Sequence, residues 1–102
     1  MATSQTITAT LTANGSTASV RWSGVYLGHF YAVGTFGSGT ITLEYSLDGG
    51  SSWLTADADN LVFTAAGRAN FQLPNCLLRI TLSGATSPDI DTGVEKIANT
   101  SR

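Results

Sequence analysis

The stretch Thr40–Leu47, TITLEYSL, decides the fold class of this chain because its side chains alternate between apolar and polar. The apolar set is Ile41, Leu43, Tyr45 and Leu47, and the polar set is Thr40, Thr42, Glu44 and Ser46. Successive side chains of a β-strand point to opposite faces, so the pattern predicts a strand that buries its apolar set. Asp48-Gly49-Gly50 then turns the chain, and Trp53-Leu54 begins a return strand.

The same alternation recurs further along the chain. Leu77–Ser83, LLRITLS, predicts a strand that places Leu78, Ile80 and Leu82 on one face. Weaker patterns predict strands at about His29–Phe36, at Leu61–Thr64, and around Phe71 and Leu73 before Pro74. No segment keeps its apolar residues at a helical period. The chain is therefore expected to contain only β-structure.

Both ends of the chain give weaker signals. The segment Thr6–Ala13, TITATLTA, predicts a strand with alternate Thr residues on one face. Asn14-Gly15 is a strong two-residue turn signal, so we expect that strand to form a hairpin with Ser16–Ser23. After Pro88 the apolar pattern fades, and residues 89–102 are expected to form a last short strand or an extended tail.

We therefore predict an all-β fold, an antiparallel β-sandwich or jelly roll with roughly seven to nine short strands. A length of 102 residues suits a single domain, which we assign to residues 1–102 with an extended C-terminal tail over residues 89–102. A chain of this size buries only a small hydrophobic core, so we also expect it to form a homo-oligomer that adds to its stability.

Composition narrows the classes of partner. Five Lys and Arg residues without a basic cluster, and a formal net charge of -2, argue against nucleic acid. No apolar run is long enough to cross a bilayer, and the N-terminus lacks the pattern of a secretory signal. We expect a soluble protein made in a reducing cytoplasm. Charged residues make up only 12% of the chain, which leaves much uncharged surface for a protein partner.

No residue pattern indicates an enzyme, a cofactor or a metal site. His29 is the only histidine and Cys76 the only cysteine, and neither lies in a catalytic or metal-binding motif. Asp57-x-Asp59 and Asp89-x-Asp91 supply paired carboxylates, either as solvated turns or as calcium ligands. Tyr26 and Tyr31 are the aromatics most suited to an exposed sugar platform, although core packing is the commoner role of aromatics.

The segment Ser46–Trp53, SLDGGSSW, matches the pattern S-x-D-x-G-x-x-W and resembles the Asp box of sialidases and other propeller proteins. This resemblance implies a structural hairpin built by Ser46, Asp48, Gly50 and Trp53. In such a turn the carboxylate accepts backbone N–H groups, glycine takes a positive φ, and the indole ring folds back over the turn. The chain is too short for a propeller, so glycosidase activity is not expected.

A wider stretch, LEYSLDGGSSW followed by NLVFTAAGRANFQLPNCLLRITLSGATSP, spans residues 43–88. It is similar to small structural proteins of tailed bacteriophages, which carry an EYSxDGG hairpin before an LP…LR-x-x-LSGAT strand. The resemblance implies a capsid decoration or cement protein that binds and stabilises the major capsid shell. Such a protein would assemble in the host cytoplasm and reside on the virion's capsid surface, as a homo-oligomer for which a trimer is our hypothesis.

The alternative is a glycan- or receptor-binding module of the tail or fibre, and a small glycosidase ranks last. In either structural role, contacts with partners are expected at the Thr-rich N-terminal segment, at exposed tyrosines and near the C-terminus. The residues assigned to these contacts are Thr6, Thr8, Thr10, Tyr26, Tyr31, Val94 and Ile97.

Overall fold

The structure is a computed structural model that describes residues 6–57 and 60–97. These residues contain no helix and form ten strands, all paired antiparallel, which confirms the predicted all-β fold. The strands are β1 (Ile7–Leu11), β2 (Gly15–Ser16), β3 (Val20–Trp22), β4 (Leu27–Thr35), β5 (Thr40–Ser46), β6 (Leu54–Thr55), β7 (Val62–Phe63), β8 (Gly67–Phe71), β9 (Cys76–Ser83) and β10 (Asp89–Ile97).

The strands form two sheets that face each other. Sheet A has the order β1-β10-β4-β8. Sheet B is built on the central pair β5 and β9, with β2 and β3 beside β9, and β6 and β7 beside β5. Aromatic side chains of the two sheets are in contact. The ring centroids of Phe30 and Phe63 are 4.9 Å apart, and those of Trp22 and Phe71 are 5.2 Å apart. The fold is therefore a β-sandwich around one shared core.

The inward rows of the long strands supply that core. Leu78, Ile80 and Leu82 of β9 are buried together, as their alternation predicts. Burial of this kind contributes about 25 cal/mol for each Å² of apolar surface removed from water. Ile41 and Leu43 of β5 are also buried, but the prediction for Leu47 is wrong, since its side chain is 61% exposed. β5 ends at Ser46, so Leu47 already belongs to the turn and the strand alternation no longer applies to it.

The strand count exceeds the seven to nine expected, because ten strands are found in the described residues. The difference comes from sheet B, where both central strands pair with two short strands in succession. β2 and β3 pair with different parts of β9, and β6 and β7 pair with different parts of β5. Three of these four short strands contain two residues each, a length at which sequence alternation carries little information.

The N-terminal hairpin predicted at Asn14-Gly15 does not form. β1 pairs with β10 in sheet A, whereas β2 and β3 pair with β9 in sheet B, so the chain changes sheets at this point. The Asn14 side chain fixes the chain where it passes between the sheets. Its Nδ2 donates to the carbonyl of Ala85 over 3.1 Å, and its Oδ1 accepts from the N–H of Ala85 over 2.9 Å. Distant pairing therefore prevails over the local turn signal.

Of the two alternatives expected over residues 89–102, the extended tail is wrong for the part that the structure describes, and the last strand is present but longer than expected. Asp89–Ile97 is a nine-residue strand in the interior of sheet A, paired with β1 on one side and β4 on the other. Residues 98–102 lie outside the described residues. The sequence pattern hid this strand because its inward row contains Thr92, whose buried hydroxyl donates to the Tyr31 carbonyl over 2.7 Å.

Gly93 is a second reason why β10 looks weak in sequence. It lies on the outer face of sheet A between Thr8 and Tyr31, and the Tyr31 ring covers it. A Cβ atom at Gly93 would lie 2.5 Å from the Ile7 carbonyl oxygen and 2.9 Å from the Tyr31 hydroxyl. Glycine is therefore required at this position by close packing.

We expect Gly93→Ala to lower the free energy of unfolding by about 1–3 kcal/mol, because the added methyl group forces β1 or the Tyr31 ring to move. Urea denaturation measures this change. Thr8→Ala, in the adjacent exposed position of the same row, is the matched control and should change stability by about 0.5 kcal/mol or less. Equal effects of the two substitutions would contradict the close packing of Gly93.

Candidate functional site

The turn after β5 is organised by side-chain hydrogen bonds to the backbone. The Asp48 carboxylate accepts the backbone N–H of Ser52 at 2.9 Å and the Ser52 hydroxyl at 2.6 Å. The buried Ser46 hydroxyl donates to Asp48 over 2.8 Å and accepts the N–H of Gly50 at 2.8 Å. Gly50 has a φ of 98°, which favours glycine. Ser46, Asp48 and Gly50 thus make the contacts that the Asp-box resemblance implies.

These hydrogen bonds also fix the charge of Asp48. The Ser52 side chain, then the Ser52 backbone N–H and the Ser46 hydroxyl, lower the pKa of the Asp48 carboxyl from 3.8 to about 2. Asp48 is therefore ionised at neutral pH and has no proton to donate as a general acid. Its carboxylate oxygens hold the turn together instead.

A polar network on the outer face of sheet B begins at Trp53, the last residue of the motif. The Arg79 guanidinium carbon lies 4.2 Å from the centre of the Trp53 ring, and Arg79 Nε is 2.7 Å from Glu44 Oε1. The same Glu44 oxygen accepts the Thr81 hydroxyl at 2.7 Å, and Thr81 lies 2.8 Å from the Ser16 hydroxyl. These groups hydrogen-bond to one another, which suits a structural role for this face.

The outer face of sheet A carries the Tyr31 ring that covers Gly93. The His29 and Tyr31 rings lie next to each other on β4, with centroids 6.3 Å apart. His29 Nδ1 is 3.0 Å from Asn70 Oδ1 on β8, and Arg68 of β8 pairs with Tyr31. Sequence reasoning selected Tyr31 but missed Asn70 and Arg68, because their proximity depends on the β4–β8 register.

Tyr26 is not brought into this surface, contrary to the predicted platform of Tyr26 and Tyr31. Tyr26 is partly buried and packs against the core, and the Lys96 ammonium lies 4.5 Å from the centre of its ring. Of the other predicted contact residues, Val94 is wrong because it is fully buried in the core. Ile97 is half-buried at the end of β10, opposite Leu27.

The remaining predicted contacts, Thr6, Thr8 and Thr10, are exposed at the β1 edge of sheet A. Among the described residues, β1 pairs only with β10, so one row of its backbone N–H and C=O groups faces no strand. Its sequence, ITATL, contains no charge and no proline. Proteins usually protect a sheet edge with charges, with proline or with very short strands, and β1 has none of these features.

The other sheet edges differ from β1. β8, at the opposite edge of sheet A, carries the exposed cation Arg68. Both edges of sheet B in the described part of the chain consist of strands of only two or three residues. The β1 edge, defined here as the unpaired side of Ile7–Leu11, is thus the site best suited to accept another strand.

Residues 6–57 and 60–97 contain neither a metal-ligand cluster nor a membrane-spanning helix. Asp59, one member of the predicted carboxylate pairs, lies outside the described residues. Asp89 and Asp91 are exposed on β10 rather than in a loop.

Comparison with known proteins adds no relative. No protein-family model matches the chain, and no curated protein or solved structure does so either. The two features that distinguish the surface are therefore the turn that contains Asp48 and the unprotected β1 edge.

The turn makes stability depend on pH in a defined direction. Folding lowers the pKa of Asp48 to about 2. The ionised carboxylate therefore contributes fully to the free energy of unfolding above about pH 4, and this contribution is lost as the pH falls towards 2. We expect Asp48→Asn to have a flatter urea-midpoint profile than the wild type between pH 4 and pH 2. Ser52→Ala, which removes the largest cause of the shift, should give an intermediate profile. Identical profiles for wild type and Asp48→Asn would contradict this assignment.

Cys76 has the properties of a buried structural thiol. Its side chain is 8% exposed, and burial raises the pKa of the thiol from 9.0 to about 11. Since the thiolate is the reactive form, we expect iodoacetamide at pH 8 to modify Cys76 much more slowly in the native protein than in urea. Mass spectrometry measures both rates, and equal rates would contradict the buried assignment.

Proposed function

We propose that this chain is a structural protein of a tailed-bacteriophage virion, a decoration or cement protein that binds the major capsid shell and stabilises it. The observation that carries the proposal is the unprotected β1 edge. An uncharged strand of five residues without a partner on one side exposes backbone groups that would otherwise favour aggregation. An obligate partner at this edge gives those groups hydrogen bonds.

Strand addition at the β1 edge supplies the binding mechanism. A strand from a neighbouring subunit pairs with the free N–H and C=O groups of β1 and extends sheet A by one strand. Thr8 and Thr10 lie on the outer face of that extended sheet, where cross-strand pairs of β-branched residues each contribute about 0.2–1 kcal/mol. The main-chain bonds provide affinity, and the side chains set the register.

The rest of the molecule is suited to act as a rigid support. The Asp48 turn and the network of Trp53, Arg79 and Glu44 hold the polar groups of sheet B in mutual contacts. One edge contact of this size is weak by itself. A homo-oligomer, which we take to be a trimer, presents several β1 edges to the shell together and multiplies their effect.

Co-sedimentation of the purified chain with mature capsid shells of the phage tests the proposal. We expect the wild-type chain to pellet with the shells and Thr8→Lys/Thr10→Lys to bind about tenfold more weakly, a difference of about 1.4 kcal/mol. Gln72→Lys, an exposed substitution just beyond β8, is the matched control and should bind like the wild type. The absence of wild-type binding to shells would refute the proposal.

A second candidate, a glycan-binding module of the tail or fibre, is favoured by one observation. Tyr31 and His29 place two neighbouring rings on the outer face of sheet A, with Asn70 and Arg68 as hydrogen-bonding groups beside them. A sugar ring stacks on such a surface through its C–H groups. A map of the whole particle separates the candidates, since density on the shell supports the first and density on the fibre supports the second.

A further inference from the structure

We infer that the strand which pairs with the β1 edge is an extended segment of another protein in which apolar residues alternate with Lys or Arg. The inference rests on the proposed function, because it specifies the partner chemistry of the same edge. It comes from the charges that border β1 on the outer face of sheet A.

An acidic row runs along β10, the strand next to the β1 edge. Asp91 and Glu95 are both exposed on the outer face, with Gly93 between them. The Thr10 hydroxyl donates to Asp91 Oδ1 over 2.8 Å and joins this carboxylate to β1. Neighbouring strands are about 4.8 Å apart, so a strand added at β1 would lie about 10 Å from β10. Lys and Arg side chains are long enough to reach across β1 to these carboxylates.

No Lys or Arg of the described residues forms an ion pair with this row, and the residue opposite Glu95 on β4 is His29. β1 contains no Lys or Arg, and on β10 the ammonium of Lys96 lies over the Tyr26 ring, which packs against the core. Arg68 is on the outer face but belongs to β8, at the opposite edge of the sheet. The β1 edge is therefore bordered by negative charge, which favours positive side chains on the outer face of the added strand.

The inner face of β1 sets the other half of the pattern. Ile7 is buried, and Ala9 and Leu11 are half-buried at the margin of the core. A strand added at the edge places every second side chain beside this row, where apolar residues would cover it. Alternation of apolar and basic residues thus follows from the two faces of one strand.

A second copy of this chain fits the edge less well. Pairing of β1 with β1 of another copy would place Thr residues opposite Thr residues and bring a second acidic row to the same face. It supplies no cation to Asp91 or Glu95. Charge complementarity therefore favours a basic segment of a different protein over self-association.

Three short peptides added to the full chain test the inference. Their sequences are VKVKVKV, VEVEVEV and VSVSVSV, and binding is followed by the amide shifts of β1 in NMR spectra. We expect the lysine peptide to bind most tightly of the three, and its affinity should fall as the salt concentration is raised. An N-methylated lysine peptide, which has the same charges but lacks the N–H groups, should not bind. Equal binding of the lysine and serine peptides, or binding of the methylated peptide, would overturn the inference.

Substitutions on one face of β10 identify the groups responsible. Asp91→Asn should weaken binding of the lysine peptide about two- to five-fold at low salt, because Asp91 lies opposite Thr10 within the paired part of β1. Asp89→Asn is the matched control, since Asp89 lies on the same strand but beyond the last residue that pairs with β1. It should have no effect. Thermal melting confirms that each variant is folded. An equal loss from Asp89→Asn and Asp91→Asn would overturn the inference.

The outcomes for the two proposals are separable. If shells capture the wild-type chain but the lysine peptide does not bind, the basic-strand inference is wrong and the capsid proposal stands. If the lysine peptide binds in an Asp91-dependent manner but shells capture nothing, the capsid proposal is wrong and the edge retains its preference for a basic strand.

Discussion

The pairing of β10 between β1 and β4 is the constraint on which sheet A depends. β1 pairs with β10 alone among the described strands, so without β10 it has no place in the sheet. β10 also supplies Ile90 and Val94 to the core and uses Thr92 to satisfy a carbonyl of β4. Its outer face carries the carboxylates that border the β1 edge. The strand with the least distinct sequence thus organises both the core and the surface.

Much of the fold follows from alternation alone. Thr40–Ser46 and Cys76–Ser83 are the central strands of sheet B, and both were visible in sequence because buried apolar residues alternate with half-buried, mostly polar ones. β10 was not visible, because Thr92 occupies an inward position where a strand pattern requires a large apolar residue, and because Gly93 beside it is a residue that strands disfavour. The hydroxyl of Thr92 is satisfied and Gly93 is covered by Tyr31, but both facts depend on contacts with distant parts of the chain.

The candidate site divides in the same way. The Asp48 turn was predictable from eight consecutive residues, since all its hydrogen bonds form within the motif. The β1 edge was not, because an edge is defined by the strand that is missing beside it. Thr8, Thr10 and Val94 were all selected because their segments have weak apolar patterns, but the two threonines are exposed at the edge and Val94 lies in the core. Local chemistry was thus predictable and sheet order was not.

The position of β10 has a consequence for the order of events during synthesis. Thr10 and Asp91 are hydrogen-bonded although they lie 81 residues apart, so sheet A remains incomplete until the ribosome has added residues 89–97. During that interval β1 is unpaired on both sides, and contacts of such long range slow the closure of the sheet. Sheet B can pair β5 with β9 earlier, since both precede β10. β1, which has no partner strand on one side in the folded protein, is therefore also the strand that stays unpaired longest during synthesis.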